Sequence, residues 1–123
     1  MKLSVLLPYK ISTNAFYARM HWTKRAEIVK AFRDEVFIAW KSSKMVPPHD
    51  FPVKMVYCFV LVGKMLDISN LSGMTKMIED GLVACEALPD DTPAYVGEII
   101  IRERRANKKS KINFVEIEID SLL

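Results

Sequence analysis

The spacing of hydrophobic positions changes several times along the chain, and each change marks an element. Leu3, Val5 and Leu7 alternate with Lys2, Ser4 and Leu6, the period of a strand with one buried face, and Pro8 ends it. Residues 9–21 keep no sustained period and read as a loop, with Asn14 and Tyr17 as its informative polar groups. Thr23 then reads as an N-cap. After it Ala26, Val29, Phe32, Val36, Ala39 and Trp40 recur at three- and four-residue spacing, with Lys24, Glu27, Lys30, Arg33, Asp34 and Lys41 largely opposite. That is the pattern of an amphipathic helix. Residues 44–51, with Pro47 and Pro48, form a connector.

Residues 52–62, PVKMVYCFVLV, are rich in β-branched and aromatic side chains and predict a central strand that stops at Gly63. Over residues 71–86, Leu71, Met74, Ile78, Leu82 and Val83 return to helical spacing, with Lys76, Glu79, Asp80 and Glu86 on other faces. Gly73 and Gly81 weaken this second helix. Residues 95–102 and 112–119 read as two more strands, the last with Val115, Ile117 and Ile119 on one face. The order β-α-β-α-β-β predicts an α/β (α+β) fold: a small mixed sheet with two helices, and a hairpin between the last two strands.

Composition narrows the class. The chain has 123 residues, 50% hydrophobic and 27% charged, which predicts one globular domain over residues 1–123 rather than a disordered or disulfide-dense chain. Cys58 and Cys85 lack a second Cys or His at metal-ligand spacing and read as small core residues in a reducing compartment. Leu3 to Leu7 is shorter than a signal-peptide core, and no apolar run reaches the roughly 18 residues of a membrane span. The expectation is a cytoplasmic protein without a membrane partner.

The net charge of +3 is uneven. Residues 102–111, RERRANKKSK, set Arg102, Arg104, Arg105, Lys108, Lys109 and Lys111 against Glu103 alone, so the rest of the chain is slightly acidic. Arg19, His21, Lys24 and Arg25 form a second basic cluster. Such runs are either solvated loops or surfaces that contact phosphates.

No G-x-S-x-G, P-loop, G-x-G-x-x-G or H-E-x-x-H motif is present. The candidates for chemistry are carboxylates: Asp67, just after the central strand, and the pair Asp90-Asp91, before the next one. Hard divalent cations take oxygen ligands, and nearby carboxylates are costly to keep ionised without a cation. Singly, each has a structural reading. Asp67, Ser69 and Asn70 are turn and cap residues, and Lys76 with Asp80 is an i, i+4 helix pair.

Together, Asp67-x-x-Asn70-Leu71, Lys76, Asp80-Gly81-Leu82, and Asp90-Asp91 followed by Tyr95-Val96 resemble the RusA family of Holliday junction resolvases of bacteria, phages and prophages. The likeness is dense over residues 67–96 and looser elsewhere. It implies a homodimeric endonuclease, dependent on Mg2+ with Mn2+ as a substitute, that binds four-way DNA junctions and nicks two strands symmetrically during recombination and repair. By position it implies catalytic roles for Asp67, Lys76 and Asp91, with Asp67, Asp90 and Asp91 as metal ligands and Asp91 preferred within the pair. Ser69, Asn70 and Asp80 take supporting places. Asn14, Arg19, Lys24, Arg25, Arg102, Arg104, Arg105, Lys108, Lys109 and Lys111 are the expected DNA contacts.

The family often has Asp-x-Asp-Asn where this chain has Asp67-Ile68-Ser69-Asn70, and a hydroxyl supplies no anionic charge. A second reading is therefore a branched-DNA-binding protein on the same scaffold that does not cut. A third is an interaction module with solvated charge clusters. Geometry adds a constraint. A straight helix over residues 71–86 spans about 24 Å, while residues 86–91 retrace at most about 17 Å. Bringing Asp67 to Asp91 then needs a late helix start near Thr75, the favoured solution, or a site shared between subunits.

Overall fold

The computed structural model describes residues 1–18 and 20–123. It has an α+β fold, a four-stranded mixed sheet with helices against one face. The strands are β1 (Lys2–Leu6), β2 (Val53–Leu61), β3 (Val96–Arg105) and β4 (Phe114–Ser121). The helices are α1 (Thr13–Ala18), α2 (Trp22–Ser43) and α3 (Ser72–Ala84), the last entered through one 3₁₀ turn at Ile68–Leu71. Among the described residues, three helices thus stand where two were expected. Part of the supposed loop at residues 9–21 is α1, held to the fold by Phe16, whose side chain is buried. Arg19 lies outside the described residues.

The sheet order is β1-β4-β2-β3, with β3 parallel to β2 and β4 antiparallel to both β1 and β2. The expected hairpin between the last two strands does not form, because β2 lies between them. β2 is apolar on both faces, which suits a strand with neighbours on both edges. The connection through α3 lays β3 parallel on one edge of β2, and the chain then crosses the end of β2 to reach the other. That crossing is anchored at both ends. Ala106 N–H donates to Leu61 O at 2.8 Å, and Val62 N–H donates to Asn113 Oδ1 at 2.6 Å. Consequently Arg102, Arg104 and Arg105 belong to β3, and only Lys108, Lys109 and Lys111 sit in the connecting segment.

Alternation decides what is buried. Leu3 and Val5 of β1, Met55, Tyr57, Phe59 and Leu61 of β2, and Val115, Ile117 and Ile119 of β4 form the helix-facing side of the sheet and are all buried. Ile28, Phe32 and Val36 of α2, and Met74, Ile78 and Leu82 of α3, close the core over them. Each such side chain contributes about 1.5–3 kcal/mol on burial. Ile28, not Ala26, begins the buried stripe of α2, and Ala26 is exposed. Cys58 and Cys85 are free thiols and only half-buried.

Two helix starts differ from expectation. His21, not Thr23, caps α2: its Nδ1 accepts from Thr23 N–H at 3.2 Å. α3 begins at Ser72, so Gly73 lies in its first turn rather than before it. The glycine serves a close approach. Its N–H donates to Thr13 Oγ1 at 2.9 Å, and a Cβ there would sit 3.2 Å from that oxygen. Gly81 likewise lets α3 approach α2, since a Cβ would meet Val36 at 3.1 Å.

Candidate functional site

α3 turns Lys76 and Asp80 to solvent on successive turns, so Lys76 Nζ reaches Asp80 Oδ1 at 3.0 Å. After α3, Ala87 and Leu88 N–H groups fold back onto Leu82 O at 2.9 and 3.3 Å. The buried Ala87 and Leu88 side chains anchor that reversal. The chain then runs back along the helix until Asp91 Oδ2 meets Lys76 Nζ at 2.5 Å. Asp90 Oδ1 accepts from Asp91 N–H at 2.8 Å, which fixes the turn carrying the pair. The ammonium therefore lies between two carboxylates. They hold the Lys76 pKa above its ordinary value, and Lys76 holds the Asp91 carboxyl below the usual carboxylate range.

Beneath this exposed cluster lies a buried carboxylate that the sequence pattern placed on a solvent face. Glu79 is 5% exposed, and its Oε1 accepts from Tyr57 O–H at 3.0 Å. Burial raises the Glu79 pKa, and the Tyr57 hydrogen bond offsets only part of the effect. Burial and the neighbouring Glu79 push the Tyr57 phenol well above its ordinary value. Thr75, four residues before Glu79, is buried as well and donates to Leu71 O at 2.9 Å. An apolar-only reading of α3 misses this stripe. The available signal was the i, i+4 pair Thr75 and Glu79 flanking Ile78.

Ser72, Thr75, Lys76 and Glu79 of α3 and Ile99 and Ile101 of β3 line a groove of about 230 Å³. Asp67 stands before the 3₁₀ turn, exposed and without a side-chain cap hydrogen bond. Its neighbour Leu66 donates its N–H to Glu103 Oε2 at 3.0 Å, and Glu103 lies on β3 two residues beyond Ile101. Ser69 is exposed, and its carbonyl accepts from Ser72 Oγ at 3.1 Å. Asn70 O accepts from Thr13 Oγ1 at 3.0 Å, tying the turn to α1. Lys76, Asp80 and Asp91 are thus brought together. Among the described residues, no group of three or more His, Cys, Asp or Glu side chains is arranged to hold a metal ion.

The basic side chains divide among several surfaces. Lys64, Arg105 and Lys108 line a groove of about 440 Å³ at the carboxyl ends of the parallel strands β2 and β3, a usual position for ligand groups in parallel sheets. Lys10 braces its rim, with Nζ donating to Val62 O at 2.9 Å and Lys64 O at 2.6 Å. Lys10 and Lys64 were not among the sequence candidates, since neither belongs to a charged run. Arg104 bonds Glu116 at 2.9 Å across the opposite sheet face, while Lys109 and Lys111 are exposed. Lys24 pairs with Glu27 at 3.2 Å, Arg25 is half-buried, and Asn14 is exposed on α1.

No protein-family model matches the chain, and no curated protein is significantly similar to it. Among the described residues, no helix is long and apolar enough to cross a membrane.

Proposed function

We propose that the chain is a divalent-metal-dependent endonuclease that binds four-way DNA junctions as a homodimer and resolves them by paired nicks. One observation carries this reading: Asp91 returns to Lys76 across 15 residues, so two separate pieces of the RusA-like pattern meet at one surface point. Magnesium is commonly held by one or two carboxylates, with water and substrate phosphate completing its shell. The exposed carboxylates of Asp67 and Asp90 and the half-exposed Asp91 have the donor chemistry for that, and Ser69 adds a neutral oxygen. The cation, when bound, supplies polarisation of the scissile phosphate and a lowered water pKa. Lys76 stabilises charge developing on phosphoryl oxygens, with Asp80 and Asp91 holding its ammonium in position. Lys64, Arg105 and Lys108 contact backbone phosphates, which makes affinity fall steeply with salt.

The second reading, junction binding without cleavage, is favoured by Ser69 together with the lack of a three-carboxylate cluster among the described residues. Cleavage of a labelled synthetic four-way junction beside a linear duplex, under magnesium, manganese and chelator, separates the two. The expected result is paired, metal-dependent nicks on the junction alone, lost in Asp91→Asn. Junction binding without nicks under either metal overturns the nuclease reading in favour of the second.

A further inference from the structure

Two aromatic side chains stay out of the core near the start of the chain. Tyr17, on α1, is 55% exposed, and Trp22, the first residue of α2, is 67% exposed. No other large apolar side chain in the described part of residues 9–26 is exposed. Tryptophan is on average a highly buried residue, yet neither ring closes the core, which α1 enters through Phe16. Both rings are nonetheless held in place. The Tyr17 ring meets Phe16 edge-on, with centroids 4.9 Å apart and planes at 87°. The Trp22 ring lies 5.7 Å from the imidazole of His21, whose Nδ1 is 2.7 Å from Thr23 Oγ1 and is thereby fixed by the cap of α2.

The surroundings carry one sign of charge. Residues 9–26 contain Lys10, Arg19, Lys24 and Arg25 and neither Asp nor Glu. Glu27 is the first carboxylate of the sequence, and it pairs with Lys24 at 3.2 Å. Arg25 has no ion-pair partner among the described residues. The patch also adjoins the candidate site. Thr13 Oγ1 donates to Asn70 O at 3.0 Å and accepts from Gly73 N–H at 2.9 Å, and Tyr17 follows Thr13 by one turn on the same side of α1. The five steps of chain from Tyr17 to Trp22 separate them by at most about 18 Å, within the reach of a few nucleotides.

We propose that Tyr17 and Trp22 are a stacking platform for the unpaired bases of a single DNA strand, with Lys24 and Arg25 attracting its backbone. Every base has a π-face, so aromatic rings hold a single strand without reading its sequence, while cations beside them draw in its phosphates. A duplex offers base faces only at its ends, so the platform favours an unpaired strand over a duplex of equal length. The inference deepens the proposed function, on which the choice of DNA rests: bases are free to unpair where the strands of a junction cross, and the platform stands beside the entry to α3. Its binding is measured in chelator and without a junction, so failure of the platform and failure of the nuclease reading are separate results.

The test is fluorescence anisotropy of a labelled short oligothymidylate and of a duplex of equal length, for the wild type, Tyr17→Ala, Trp22→Ala and Trp22→Phe. Each alanine variant is expected to weaken single-strand binding about five- to 150-fold and to leave duplex binding nearly unchanged. Trp22→Phe keeps an aromatic face and recovers most of the affinity. No phosphate contact is removed, so the slope of log affinity against log salt stays that of the wild type. Direct contact is read from Trp22 itself: in a Trp40→Phe background, where Trp22 is the one tryptophan left, its emission is quenched as oligothymidylate is added. A wild type that does not bind the strand, alanine variants that bind it as well as the wild type, or equal losses on strand and duplex overturns the proposal. The second of these is the result if the patch receives a protein instead, and any of them can occur while metal-dependent junction cleavage persists.

Discussion

Glu79 and Lys76 lie one turn apart on α3, yet each meets its polar partner under opposite conditions. Glu79 faces the sheet, nearly out of contact with water, and rests on a single hydroxyl from Tyr57. Lys76 faces solvent, with its side chain 54% exposed, and is shared by two carboxylates. In a low-dielectric interior an unpartnered polar group is expensive, so the Tyr57–Glu79 bond constrains the fold. At the surface, water screens the ion pair and leaves it little influence on stability. The group with more charge around it is thus the one free to serve a ligand.

The largest expected effect comes from removing the buried partner. Tyr57→Ala deletes a fully buried ring and strands Glu79, and should lower unfolding stability by about 3–5 kcal/mol in urea titrations. Tyr57→Phe keeps the ring and removes only the donor, for a loss of about 1–3 kcal/mol. If the phenylalanine variant matches the wild type, the hydroxyl is not what sustains Glu79, and the contrast between the two sites collapses.

Replacing the carboxylate itself sharpens the contrast through pH. The Glu79 pKa is raised by burial, so its protonated form is the one the fold prefers. Its contribution to stability is fully present below the ordinary glutamate range and is lost as pH rises through the raised value. Glu79→Gln still accepts from Tyr57 but no longer titrates. Its melting temperature should equal that of the wild type in acid and exceed it increasingly toward neutral pH. Differential scanning calorimetry across that range decides the matter, and a gap that does not change with pH would remove desolvation as the cause.

Much of the fold was legible because periodicity reports burial where one face is clearly apolar. Alternation located β1 and β4, the β-branched and aromatic run located β2, and the three-four spacing located α2 and α3. Pairing was less legible, since the same alternating pattern suits a hairpin and a strand laid beside another neighbour. β2 takes β3 on one edge and β4 on the other, an arrangement of backbone edges that side-chain periodicity does not report. At the site, the Lys76–Asp80 pair follows from helix spacing alone, whereas the return of Asp91 depends on Ala87 and Leu88 packing after α3. Glu79 was hidden because charge normally marks a solvent face, and only the hydroxyl of Tyr57, 22 residues earlier, makes its burial tolerable.

The smallest stability effect belongs to the exposed pair, and its smallness is the informative part. Lys76→Met should change unfolding stability by no more than about 1 kcal/mol, while removing the ammonium that the proposed chemistry requires. The pH dependence has the opposite sign to that of Glu79. Lys76 lowers the Asp91 pKa, so this pair's contribution is present above the ordinary aspartate range and is lost as pH falls through the lowered value. At the alkaline end it persists until pH passes the raised value of Lys76. Melting curves of the wild type and Asp91→Asn should therefore converge in acid and keep a small constant separation through neutral pH. A large neutral-pH loss in either variant would mean that the cluster is part of the folding framework, and a loss of junction cleavage in that variant would then say nothing about catalysis.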